Sequence, residues 1–143
     1  MYKRNTDLSL LADCYGEVNT NLGTGLVFEL CRDSETTISK SIEYYFRNNR
    51  EESILILDNI ELLKKYLIKN LILFTDLTPD NILYKVNENK LMVIDGIGNY
   101  DFIKISNYFS SLAINKINRK FDRFKLLLFE MYPDNTFIQK RYS

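Results

Sequence analysis

Two helical stripes bracketing a short strand-like stretch constrain this chain more than any other feature. Between about Arg50 and Lys69, Ile56, Ile60, Leu63 and Leu67 recur at i, i+4, i+7 and i+11, which sets them on one face of a helix. From about Ser106 onward, Ala113, Ile117, Phe121, Phe124 and Leu128 repeat the pattern. Each stripe has to be covered by another element. The stretch between them supplies candidates: Leu71–Phe74 reads as a short strand, and Ile82–Val86 and Leu91–Asp95 read as two more around Asn87-Glu88-Asn89. A length of 143 residues suits one domain with one core, so we expect a single α+β domain spanning 1–143.

The punctuation agrees with this outline. Asn49 and Glu52 form a capping-box-like start to the first long helix, Lys64, Lys65 and Lys69 suit its C-terminal dipole, and Asn70 can close it. Upstream, Asp13–Val18 and Gly25–Leu30 read as extended segments joined by the turn formers from Asn19 to Gly23. Thr37–Phe46 suggests a short helix with Ile38, Ile42 and Tyr45 on one face, and Pro133 ends the last helix or begins a turn.

Composition removes several chemistries. There is no histidine, which excludes a Ser-His-Asp triad, a His-ligated zinc and an imidazole base. Acid–base work must fall on Asp, Glu, Lys, Tyr or Cys. Cys14 and Cys31 are not spaced as a metal knuckle and fit reduced, mostly buried thiols. Lys plus Arg equals Asp plus Glu at 19 each, so no overall charge draws the chain to nucleic acid or to a membrane surface. No apolar run has membrane-spanning length and no signal segment stands out, so the expected location is cytoplasmic.

The strand pair can be counted. A three-residue loop Asn87-Glu88-Asn89 sets Val86 opposite Lys90, and counting back sets Asn81 opposite Asp95. Two oxygen-bearing side chains then meet at the open end of an apolar hairpin, with Asp76 on the loop that feeds it. Mg²⁺ prefers a few such oxygens and completes its shell with water and substrate phosphates. Asn81 and Asp95 are therefore candidate metal ligands. Asp76 could take the proton of an acceptor hydroxyl or orient that hydroxyl for in-line attack.

The run Asp76-Leu77-Thr78-Pro79-Asp80-Asn81 is similar to the catalytic loop of protein kinases, and Val93-Ile94-Asp95-Gly96 resembles the metal-binding segment that follows it. The blocks Asn19–Leu30 and Ile94–Phe102 resemble the PhoP regulatory network protein YrbL family. The resemblance implies a bacterial cytoplasmic protein of kinase-like fold tied to envelope or acid-stress regulation. In that fold this chain would be the C-terminal lobe. Residues 1–32 would be a remnant of upper-lobe strands and hinge, and 33–143 the mainly helical lobe with its catalytic-loop hairpin. It also implies ATP and Mg²⁺ as cofactors, Asp76 as catalytic aspartate, and a hinge at Glu29 and Cys31 that receives the nucleotide on its backbone. Phe74 and Thr75 stand where kinases carry His and Arg, Thr78 where many carry a phosphate-steadying Lys, and Gly96 where Phe is usual. No Gly-rich phosphate loop or ATP-anchoring Lys strand precedes Asp13. An upper lobe that is largely absent leaves its side open to a protein partner or to self-association.

Two further motifs have simpler readings. Gly23-Thr24-Gly25 and Gly96-Ile97-Gly98 lack the third glycine of a dinucleotide loop and read as turns. Lys116, Arg119, Lys120, Arg123 and Lys125 are interleaved with Ile117, Phe121 and Phe124, as in a helix packed on a core. The same stretch would also suit RNA or acidic lipid.

Overall fold

A computed structural model describes residues 7–48, 50–75, 77–94 and 110–143, and in it the two apolar stripes face a common core. In chain order the elements are β1 (Cys14–Thr20), β2 (Gly23–Phe28), β3 (Lys40–Ser41), α1 (Ile42–Arg47), α2 (Glu52–Asn70), β4 (Ile82–Lys85), β5 (Lys90–Val93), α3 (Ser110–Met131) and α4 (Thr136–Tyr142). The strands form two small antiparallel sheets, β1-β2 and β3-β4-β5. Leu11 adds a parallel bridge to Val93. The architecture is mixed α and β.

The sequence stripes become the core without revision. Ile56, Ile60, Leu63 and Leu67 of α2 are buried, as are Ala113, Ile117, Phe121, Phe124 and Leu128 of α3. They pack with Ile82, Tyr84 and Leu91 of the second sheet. Phe121 links the layers, its ring edge-on to both Phe74 and Phe124. No helix among the described residues is long and apolar enough to cross a membrane.

Element ends differ from expectation in several places. Helix α2 begins behind Glu51, which is itself helical and makes no side-chain cap bond; Asn49 lies outside the described residues. At the other end Asn70 stays helical and Leu71 takes the left-handed conformation, φ 51°. Asn70 is held there because its amide donates to the Tyr66 carbonyl and its Oδ1 accepts from the Asp7 amide, both at 3.0 Å. Leu71–Phe74 forms no ladder with the described residues, although Ile72 and Phe74 bury their side chains. Thr37–Phe46 resolves into β3 and a shorter α1, with Ile38 exposed. Cys31 is buried, but Cys14 is exposed.

The final helix, α4, was not anticipated. Its N-cap is Asn135, whose Oδ1 accepts from the amides of Phe137 and Ile138 at 3.1 Å. The Nδ2 of the same residue donates to the carbonyl of Phe46 at the end of α1, 2.9 Å away. One buried side chain thus caps one helix and closes another.

The β1-β2 hairpin stands apart from this core. Its ladder runs from Cys14↔Phe28 to Thr20↔Gly23, with Tyr15 bulged out and Gly23 at φ 114° to make the tight turn. Leu22 at its tip is 92% exposed, Tyr15 66% and Phe28 47%.

Candidate functional site

The site begins with hairpin β4-β5. Lys85 lies directly opposite Lys90, an arrangement that is unfavourable for like charges. Glu88 in the connecting loop resolves it by bridging both ammonium groups, at 2.7 and 2.8 Å. Hydrogen bonds from Lys85 and then Lys90 hold its carboxyl at about 2, well below the ordinary carboxylate range. Asn89 adopts the left-handed conformation, φ 47°, which Asn tolerates well. Its Oδ1 accepts from Asn59 Nδ2 of α2 and from the Tyr84 hydroxyl, both at 2.9 Å.

This turn corrects the strand count. Pairing Lys85 with Lys90 makes the loop Val86-Asn87-Glu88-Asn89, one residue longer than expected. The residue opposite Asn81 is then Ile94, whose amide donates to the Asn81 carbonyl at 3.1 Å. Register alone therefore does not pair Asn81 with Asp95. The reason is local: the lysine–glutamate clasp and the left-handed Asn89 start the turn one residue early. Asp95, like Asp76, lies outside the described residues.

Asn81 itself is well fixed. It is half-buried, and its amide donates to the Thr78 carbonyl at 3.0 Å. Around it, Leu77 and Pro79 are buried, and the Pro79 carbonyl accepts the Glu43 amide from α1 at 3.2 Å. The Thr78 hydroxyl is buried with no hydrogen-bond partner among the described residues, an orphaned polar atom inside the loop. Among the described residues no three acidic or thiol groups converge as a metal cluster.

On the other side of the loop, Lys120 of α3 donates to the carbonyls of Phe74 and Thr75, and its Nζ lies 5.3 Å from the Phe74 ring centroid. The residue covalently next to Thr75 is Asp76. Sequence reading grouped Lys120 with its basic neighbours, yet one signal singled it out. At four, seven and eleven residues past Ala113 come Ile117, Lys120 and Phe124, so Lys120 falls within the apolar stripe. Replacing it with Met keeps the length and removes the hydrogen bonding of one ammonium shared by two carbonyls, together worth about 1.5–3 kcal/mol. Hydrogen exchange of the amides around 72–78 should then accelerate roughly tenfold to a hundredfold, with α2 core amides unchanged. Unchanged exchange at 72–78 would show that Lys120 does not hold this loop.

The hinge candidates sit at the opposite end of the hairpin. The Glu29 amide donates to the Asp13 carbonyl at 2.7 Å, and the Glu29 carboxylate accepts the Asp13 amide at 3.2 Å. The Cys31 carbonyl accepts from the Ser39 amide at 3.1 Å. Burial, reinforced by the charge of Glu29, pushes the Cys31 thiol up and so disfavours its thiolate. The segment is tied to the hairpin by Asp33, whose Oδ1 accepts from the Ser39 hydroxyl at 2.9 Å and the Val86 amide at 3.2 Å.

Comparison with known proteins bears on this arrangement. Residues 1–127 match the sequence profile described as PhoP regulatory network protein YrbL. The chain belongs to the YrbL family. Among curated relatives it is similar to the uncharacterized protein YrbL of Escherichia coli (strain K12) and its counterpart in Shigella flexneri. Each is 30% identical over 127 residues, a stretch that covers 85% of this chain and 60% of the relative. The chain therefore spans less than two thirds of the length of these YrbL proteins.

Proposed function

We propose that this YrbL-family chain is a cytoplasmic bacterial regulatory protein carrying a kinase-like site for a magnesium-bound nucleotide. What carries the reading is the hairpin β4-β5. The hinge segment is bonded to its turn end through Asp33 and Val86, while Asn81 is fixed at its open end. Four ladder residues separate the two, about 13 Å of strand. That is the scale of an extended nucleoside triphosphate. At the turn end, the Glu29 carbonyl and the Cys31 amide make no backbone hydrogen bond among the described residues and would receive adenine.

At the open end, Asn81 and Asp95 would hold the metal and Asp76 would take the acceptor proton or orient the acceptor hydroxyl. The donor set is oxygen-only, as a hard cation requires, and the half-buried Asn81 amide suits it. Bound magnesium supplies charge neutralisation on the phosphates. Lys120 keeps the backbone before Asp76 in place, and the orphaned Thr78 hydroxyl is a further polar group in the loop.

ATP with Mg²⁺ should raise the melting temperature of the chain. At a hundredfold excess over Kd the stabilisation is about 2.7 kcal/mol. Asp95→Asn should abolish the shift and leave the unliganded melting temperature unchanged. A wild-type chain that shows no shift does not bind nucleotide. A second reading, a catalytically inactive interaction module or one half of a split kinase, is favoured by the exposed apolar hairpin β1-β2.

A further inference from the structure

Two surfaces of this chain take no part in the proposed site, and they are complementary. The first is hairpin β1-β2. A two-stranded ladder is marginal in water on its own, and this one exposes Tyr15, Val18, Leu22 and Phe28 across its two faces and its tip. Between Arg4 and Arg32 the sequence has no Lys or Arg, while Asp13 and Glu17 carry negative charge. The hairpin is apolar and acidic.

The second is the outer stripe of α3. Of its basic residues, Lys120 is engaged with the 74–75 backbone and Lys125 pairs with Glu61 at 2.7 Å. Lys116, Arg119 and Arg123 are exposed and make no ion pair among the described residues. They fall four, seven and eleven residues after Leu112, and Leu126 follows at fourteen, so all five share one face. The two leucines that flank the cations are 62% and 57% exposed. An exposed stripe of three cations between two leucines is the converse of the hairpin.

We propose that the β1-β2 hairpin of one copy docks on the outer stripe of α3 of a second copy. Hairpin against hairpin would set acid against acid, and helix against helix would set cation against cation; only the head-to-tail pairing matches both charge and apolar character. Formed reciprocally, such a contact closes as a two-fold dimer, and formed once per pair it adds further copies as concentration rises. The inference does not depend on nucleotide binding.

Light scattering on the full chain tests it. At about 50 mM salt the apparent mass should climb above 16.9 kDa with concentration, and it should fall back at about 500 mM, where the Debye length drops to roughly 4 Å. Two double variants at exposed positions separate the surfaces: Glu17→Lys with Leu22→Lys, and Arg119→Glu with Arg123→Glu. Each alone should remain at the monomer mass. Mixed in equal amounts they should associate, because an intact helix stripe on the first meets an intact hairpin on the second. A wild-type chain that stays monomeric up to about 1 mM at low salt overturns the proposal. So does association that survives either double variant. Binding of phosphatidylserine vesicles or single-stranded RNA through Arg119 and Arg123 by a chain that never self-associates assigns the stripe to that ligand instead, and equally overturns it.

Discussion

Phe121→Ala should lower the stability of this chain by about 3–5 kcal/mol, the range for truncating a buried aromatic. For a domain whose whole stability is on the order of 5–15 kcal/mol, that is a large fraction. The position justifies the upper part of the range. Phe121 is fully buried on α3, with ring centroids of Phe74 and Phe124 at 5.7 and 6.4 Å and both pairs edge-on. Such contacts add to simple area burial. Phe74 lies on the segment leading to the loop and Phe124 on the helix itself, so neither side of the resulting cavity collapses freely. The melting temperature should fall by roughly 10–20 °C. Leu126→Ala, on the exposed face of the same helix, should stay within about 0.5 kcal/mol. Thermal unfolding of the two variants side by side checks the claim, and an equal effect of both would mean that α3 does not pack as described.

Asn135→Ala should cost about 2–4 kcal/mol, although it removes only a few polar atoms. Loss of an N-cap side chain accounts for about 1 kcal/mol. The remainder, about 1–3 kcal/mol, comes from the lost hydrogen bond to the Phe46 carbonyl, which keeps only the Asn48 amide, and from the gap left at a buried position. Asn135→Ser keeps a capping oxygen but cannot reach Phe46, and it should recover only about 1 kcal/mol of the loss. Urea unfolding of the three proteins separates the two contributions. A serine variant as stable as wild type would mean that the bond to Phe46 contributes nothing.

Much of the fold was legible because periodicity records burial directly. All nine stripe residues named on α2 and α3 are buried. The β1-β2 turn was equally legible from its Asn, Thr and Gly content. What failed was one-residue accuracy where side chains override generic rules. Nothing in the pattern of apolar residues announces that Lys85, Glu88 and Lys90 will clasp and lengthen the loop. Nor does a cap rule foresee that Asn70 is held helical by Asp7, sixty-three residues away. Helix α4 escaped notice because its seven residues are too few to set up an apolar stripe, although Asn135 is a local N-cap signal. For the site, residue types in order suggested the chemistry, but Lys120 became visible only as a charge out of place on an apolar face. The strand count that paired Asn81 with Asp95 does not survive the observed register, so Asn81, Asp76 and Asp95 stand as site residues on residue pattern alone.

The bond from Asn135 to Phe46 has a consequence for synthesis. It joins groups 89 positions apart, and the grip of Lys120 on Phe74 spans 46 more. A chain emerging in order would form α1 and the 74–81 loop early and then hold both open, the loop until α3 appears and α1 until Asn135 does. Contacts of such long sequence separation are the slow ones in folding. The loop that leads to the candidate catalytic residues is thus locked late and α1 later still, and the interval before that is when this chain is most open to proteolysis or to capture by another protein.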